Sequence, residues 1–302
     1  MYEETNTKRP ALPPPKRIPI WSIGIYAGRT PFDLKPVEGV ENPVICAKDV
    51  SDIQADFVAD PFMIKAGETW HMFFEVMNAR TRKGEIGLAT SEDGLAWDYK
   101  QIVLREPFHL SYPCVVHWDG EYYMTPETHE ANSIRLYRAD RFPDRWSLAG
   151  PILDGAWVDP SVFFFDGLWW MFTSRECREN DTLHLFHAEA IAGPWTGHPM
   201  NPVVGGDSRI ARPGGRVVVS GNQLVRFTQD CSVGYGDQIR ALEISELTSL
   251  TYGEREVDQS PVLSPGQQAW NQSGMHHVDP HLVNGRWLAC VDGRRFDVLI
   301  SS

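Results

Sequence analysis

The sequence predicts an all-β chain, a five-bladed β-propeller closed into a ring by strands from both of its ends. Three observations predict it. A hairpin-like unit recurs five times along the 302 residues. Aromatic and β-branched runs alternate with Gly and Pro punctuation throughout, and few stretches hold a helical period. The last unit stops short, while the start of the chain has strand-like segments to spare.

Each unit has a Pro, an apolar run, a turn ending in Gly, and a second, aromatic-rich run. The first runs from Asp60-Pro61-Phe62 through Gly67 to Trp70–Glu75, and the second from Tyr112-Pro113-Cys114 through Asp119-Gly120 to Tyr122–Glu127. The third runs from Asp159-Pro160-Ser161 through Asp166-Gly167 to Trp169–Arg175. A weaker fourth runs from Arg212-Pro213 through Ser220-Gly221 to Val225–Thr228. The fifth runs from Asp279-Pro280-His281 through Asn284-Gly285 to Trp287–Asp292. The turn glycines are 53, 47, 54 and 64 residues apart. Asp-Gly and Asn-Gly mark hairpin turns because both turn residues need positive φ. Pro near the start of a first strand sits where a missing N–H is tolerated.

Further strand pairs lie between the hairpins, such as Gly84–Thr90 with Trp97–Leu104 and Ser133–Arg138 with Trp146–Ile152. Leu183–Ala188 with Trp195, and Gln238–Leu242, continue the series. Two hairpins per repeat of roughly fifty residues describe a propeller blade. The fifth hairpin lacks its outer pair. Ser22–Gly28 and Asn42–Cys46 supply it, which also hides the sheet edges. Residues 1–20, rich in Pro, read as an extended arm, and residues 21–302 as one propeller domain.

The formal charge of −12 argues against nucleic acid or an anionic membrane as partner. No apolar stretch is long enough for a membrane span, and Met1–Ile20 has no signal-type apolar core. The expected location is cytoplasmic. Five scattered cysteines without CxxC spacing read as reduced thiols rather than disulfides or a zinc site.

The start of each first strand pairs with the end of its second, at one end of the innermost part of a blade. Asp60, Asp159 and Asp279 take the first position in three blades; Glu75, Glu127 and Asp292 take the second in three. Any one of these reads equally as a turn cap or a solvated tip. Six converging on a narrow axis repel one another and raise each other's pKa, a cost that binding a cation or polyol, or acid–base chemistry, would repay. His109, Tyr112, Arg175, Arg212, His276, His277, Arg294 and Arg295 fall around the same rim. Carboxylates with aromatic faces suit sugar hydroxyls and rings. Adjacent His276 and His277 point to opposite faces if extended, so one of them is expected to be packed. No cofactor is expected, beyond a structural cation the central channel could take.

Ala59-Asp60-Pro61-Phe62 and Trp157–Trp170 resemble five-bladed glycoside hydrolases of family 43 and their relatives. The run from Phe57 to Arg175 is more closely similar to the propeller-like domain of plant glucosamine inositolphosphorylceramide transferases and bacterial stand-alone versions. The resemblance implies a general base at Asp60 and a pKa-tuning, substrate-orienting role at Asp159. The family's general acid, a Glu opening the fourth hairpin, has no counterpart in Ala211-Arg212-Pro213. Glu127 is the nearest substitute and Glu75 the next, with Glu176 read as loop. The implied activity is a glycoside hydrolase acting on a glycan or glycoconjugate with Asp60, Glu127 and Asp159 as catalytic set. Glu75, His109, Tyr112, Arg175, Arg212, His277, Asp279 and Asp292 would bind substrate. The alternative is a non-catalytic carbohydrate-binding or accessory module in polysaccharide or glycolipid biosynthesis.

Overall fold

The computed structural model describes residues 17–175, 180–221 and 223–298. The chain enters along β1 (Arg17–Gly28) and the short β2 (Lys35–Pro36). Blade one follows as β3 (Ala55–Ala66), β4 (Thr69–Asn78), β5 (Gly84–Ser91) and β6 (Asp98–Leu104). Blade two is β7 (Ser111–Trp118), β8 (Glu121–Glu127), β9 (Ser133–Arg141) and β10 (Arg145–Asp154). Blade three is β11 (Trp157–Phe165), β12 (Leu168–Arg175) and β13 (Thr182–Ala188), with β14 (Thr196–Gly197) and β15 (Val204–Gly205) both on β13. Blade four is β16 (Val218–Ser220), β17 (Gln223–Asp230), β18 (Gln238–Leu247) and β19 (Tyr252–Glu256). In blade five, β20 (Val278–Val283) and β21 (Arg286–Val298) are completed by β1 and β2 in the order β2-β1-β21-β20. Five antiparallel sheets thus form a five-bladed propeller. The described residues hold no α-helix, only two single 3₁₀ turns.

All five glycine turns connect innermost hairpins as expected, and the ring closes through β1 as expected, though its outer strand is Lys35–Pro36 rather than the expected Asn42–Cys46. β1 pairs with β21 from Arg17↔Val298 to Gly28↔Trp287. Its Ile23 and Ile25 are fully buried against Cys290 and the apolar face of blade one. Beyond β1 the sheet edge is finished by a side chain. The Asn42 amide accepts from Ile25 N–H and donates to Ile25 C=O, as a further strand would. Ile23 also bridges Ile45. The closing strand begins at Arg17, so residues 17–20 lie in the sheet rather than in the arm assigned to residues 1–20. Cys46, Cys114, Cys231 and Cys290 are free thiols; Cys177 and Glu176 lie outside the described residues.

The X-Pro step that opens the first three hairpins is a β-bulge. Between Ala59↔Glu75 and Phe62↔Phe73, three steps of β3 match two of β4; the same holds at Ser111–Cys114 and Val158–Ser161. The residue before Pro takes positive φ in each: 52° for Asp60, 47° for Tyr112 and 51° for Asp159. Non-glycine residues enter that region at a cost, least for Asp. The bulge re-aims the side chain, and it is what turns Asp60 and Asp159 inward.

Candidate active site

Five carboxylates meet at one end of the axis: Asp60, Glu75, Glu127, Asp159 and Asp292, none more than 6% exposed. The five acids are close-packed and almost fully covered. Three clefts of about 650–730 Å³ run along the flank beside residues 28–49 and touch none of them.

One half of the cluster is built on Asp292. Its Oδ1 accepts the N–H of both His276 and His277 at 3.0 Å, and its Oδ2 accepts Asp60 N–H at 3.1 Å. His276 Nδ1 lies 2.7 Å from Asp292 Oδ2, and its Nε2 3.8 Å from Asp60 Oδ1. The His276 ring stacks on Trp21 at 3.8 Å. Burial alone would push Asp292 up, but the neighbouring His276 holds it below the usual carboxylate range. Burial would likewise lower His276, and Asp292 and Asp60 outweigh it and raise it.

The other half is built on Arg212. Its Nε lies 2.6 Å from Asp159 Oδ2, its Nη2 3.8 Å from Glu127 Oε2, and its Nη1 donates to Asn180 Oδ1. Gln229 Nε2 donates to the same Asp159 oxygen at 2.9 Å. Burial pushes Asp159 upward against the pull of Arg212. Glu127 accepts Asp159 N–H at 3.2 Å and faces His129 Nδ1 at 2.7 Å. Burial works against its charge, yet His129 and Arg212 keep it below its ordinary value. A carboxylate held this way is a poor proton donor at neutral pH.

Asp60 and Glu75 stand between the halves. Burial, offset in part by His276, raises Asp60 to about 6. Burial and four neighbouring carboxylates, Asp60 first, raise Glu75 well above its ordinary 4.5. The one base near Glu75 is His109, with Nε2 3.5 Å from Oε1. His109 Nδ1 accepts Gly84 N–H at 2.9 Å, so a neutral ring carries its proton on Nε2, toward Glu75. Burial lowers His109 and keeps it neutral. Glu75 and Asp159 are thus both pushed toward their protonated forms, Asp159 to about 8, while Asp60 is raised to about 6.

The side chains of three residues assigned to substrate binding, Tyr112, Asp279 and Arg175, sit elsewhere, and that of His277 is packed beneath the acids. Tyr112 occupies the bulge position of blade two, but its long side chain passes below the acids. It is fully buried, with its hydroxyl 2.7 Å from Ser161 Oγ and 2.7 Å from the Gly215 N–H that donates to it. Asp279 shares the Asp-Pro motif, yet β20 pairs with β21 without a bulge, so the residue faces down the axis. There it accepts from Arg216 Nε at 2.6 Å and Met63 N–H at 2.6 Å, well away from the acid cluster. Arg216 also reaches Val115 C=O and Met63 C=O, tying blades one, two, four and five together. Arg175 is exposed, with its guanidinium 3.8 Å over the Trp157 ring. His277 is fully buried against Phe62 and Tyr112. His276 precedes β20 in non-strand backbone and pairs its ring with Asp292, while His277 serves the acids through its N–H on Asp292 and its Nδ1 3.8 Å from Asp60. Arg294 and Arg295 bind backbone carbonyls and Asp297 respectively.

Asp60, His276 and Asp292 bring ligand atoms within 4.8 Å of one another, the set in the described residues that could hold a cation. His276 already neutralises Asp292 there, so an incoming cation has to displace that contact.

The family profile described as glucosamine inositolphosphorylceramide transferase 1, N-terminal, matches residues 17–294. Glucosamine inositolphosphorylceramide transferase 1 of Oryza sativa subsp. japonica is 37% identical over 297 residues, covering 91% of this chain and 40% of that protein. The Arabidopsis thaliana protein of the same name is also 37% identical, over 91% of this chain and 39% of its own length. The chain thus spans about two fifths of these relatives. Among solved structures, the catalytic domain of a Coprinopsis cinerea family 62 α-L-arabinofuranosidase superposes with a TM-score of 0.64 at 13% identity, covering 94% of this chain and 98% of that one. A thermostable family-43 glycoside hydrolase gives 0.54 at 18% identity, over 69% and 78%. At these identities the structural likeness establishes the fold.

Proposed function

From the premise that this chain belongs to the family of glucosamine inositolphosphorylceramide transferase N-terminal domains, we propose that its axial pocket binds a sugar of a glycan or glycoconjugate and acts on the glycosidic bond by acid–base chemistry. The observation that carries this reading is the division of labour among five buried acids. Glu127 and Asp292 are held as anions by His129, Arg212 and His276, while burial pushes Glu75 well up, Asp159 to about 8 and Asp60 to about 6. Carboxyl groups whose environments drive their pKa values apart form an acid/base pair.

Glu75 takes the proton-donor role first given to Glu127, because His129 and Asp159 N–H hydrogen-bond Glu127 and the Arg212 guanidinium stands 3.8 Å from it. Glu75 gives its proton to the leaving glycosidic oxygen as the C–O bond breaks. Asp60 accepts the proton of the attacking hydroxyl, from water for hydrolysis or from a sugar hydroxyl for transfer. Asp159, with one oxygen held by Arg212 and Gln229, orients a substrate hydroxyl through the other. Because the relatives are named for glucosamine and inositolphosphorylceramide, a glucosamine-bearing glycolipid is among the first substrates to try.

One observation favours a second reading, a binding module without turnover. Arg212 stands where the resembling hydrolases open the fourth hairpin with their general acid. Binding of glucosamine, N-acetylglucosamine and methyl glucoside, together with turnover of the aryl glycosides of the same sugars, separates the two. Turnover in the wild type that falls about 100-fold in Asp60→Asn, with binding retained, supports the enzyme. Binding without turnover across the panel supports the module, and absence of both removes the carbohydrate reading.

A further inference from the structure

Loop 231–237, between β17 and β18, lies over the acid cluster and carries an aromatic ring that the charge chemistry leaves without a task. Tyr235 is 43% exposed in a neighbourhood where the acids and their partners are almost fully covered. Its ring touches both halves of the site. The Arg212 guanidinium lies 5.1 Å from the ring centroid, and His276 meets the ring at 5.4 Å and 82°. One contact reaches Asp159 through Arg212, and the other reaches Asp60 and Asp292 through His276.

The loop is built to keep the ring there. Asp237 N–H donates to Asp230 C=O at 3.1 Å, Cys231 N–H to Ser208 C=O at 2.9 Å, and Met275 N–H to Asp237 C=O at 3.3 Å. The Tyr235 carbonyl accepts from Arg294 Nη1 at 2.5 Å. Gly236 has φ of +62° and leaves no room for a Cβ, which would lie 2.6 Å from His276 Cβ. The ring is thus fixed before any ligand arrives, which removes the ordering cost of a mobile contact. Next to Asp159, to which its Nε2 donates, Gln229 leaves its Oε1 buried without a hydrogen-bond partner among the described residues.

We propose that Tyr235 is the stacking platform of the pocket, on which the C–H face of a pyranose ring rests while its hydroxyls reach down to Asp60 and Asp159. This rests on the carbohydrate reading and adds the residue that selects for ring shape. Aromatic contact with an apolar face is non-ionic, so its contribution is independent of the protonation of the acids. A sugar presenting an unbroken C–H face therefore gains from it, and one with an axial hydroxyl on that face loses it.

Isothermal titration of the wild type, Tyr235→Ala and Tyr235→Phe with glucosamine and methyl glucoside tests this, with unfolding midpoints measured alongside. The expected result is affinity about tenfold weaker in Tyr235→Ala and within about twofold of wild type in Tyr235→Phe. Unchanged affinity in Tyr235→Ala, with the wild type binding, overturns the platform and leaves the carbohydrate reading standing. Equal loss in both variants with lowered midpoints makes Tyr235 a structural prop and also overturns it. A wild type that binds neither sugar overturns both.

Discussion

Glu75→Gln keeps the shape of a buried side chain and removes only its titration, so the electrostatics of the site can be read from stability. Glu75 holds its proton in the folded chain well above the 4.5 at which the unfolded chain releases it. Below pH 4.5 both states are protonated and the carboxyl costs nothing. Above it the unfolded state gains by ionising and the folded state does not, so stability falls as pH rises toward the folded pKa. The slope for one group is about 1.4 kcal/mol per pH unit. Glu75 alone thus lowers wild-type stability from the pH at which the unfolded chain ionises up to its folded pKa. Asp60 adds to the wild-type slope until about 6, and His276, raised in the fold, adds above its ordinary 6.5. Taking the difference between wild type and variant at each pH cancels these shared contributions to first order. Urea unfolding at pH 4.5, 5.5, 6.5 and 7.5 should show Glu75→Gln about as stable as wild type at the lowest pH, and progressively more stable above it. Parallel curves, or a variant that loses ground with rising pH, would show that Glu75 is ionised and charge-paired in the fold and would refute the acid assignment.

The remaining predictions concern the frame around the acids. Arg216→Met should cost about 3–5 kcal/mol by stranding Asp279, and Arg216→Met with Asp279→Leu should recover much of it; urea midpoints decide, and a double variant no better than the single would deny the pairing. Tyr112→Phe removes the hydroxyl between Ser161 and Gly215 N–H and should cost about 1–3 kcal/mol without changing sugar affinity, since it lies below the pocket. If binding fails while the fold survives, Tyr112 belongs to the site after all. His129→Asn should raise the Glu127 pKa, visible in carboxyl-carbon NMR titration as a later transition; an unmoved Glu127 would mean that Arg212 alone fixes its charge.

The blades were legible because each depends on a local rule: Gly at a turn needing positive φ, Pro at a strand start, aromatics on a second strand. Asp60 and Asp159 were legible for the same reason, since the bulge is written in the X-Pro step. Asp279 shows where that rule ends. It carries the identical dipeptide, but its strand pairs regularly, and nothing in six neighbouring letters distinguishes the two geometries. The role of Glu127 had a readable cue in His129 two residues on, whose imidazole meets its carboxylate. Arg216 and Tyr235 had none. The first acquires its partners from blades one and five, up to 153 residues away, and the second lies in a loop without strand pattern. Axial contacts belong to the closed ring rather than to any one repeat.

The stopper beneath the acids sets what kind of molecule the pocket can receive. Tyr112, Ser161 and Gly215 close the axis under Asp60, and Arg216 with Asp279 closes it again below. A polymer cannot be threaded through such a propeller, and whatever enters must back out by the same mouth. A ligand therefore meets the carboxylates from one face of the ring alone, as a chain end or as a chain lying across that face.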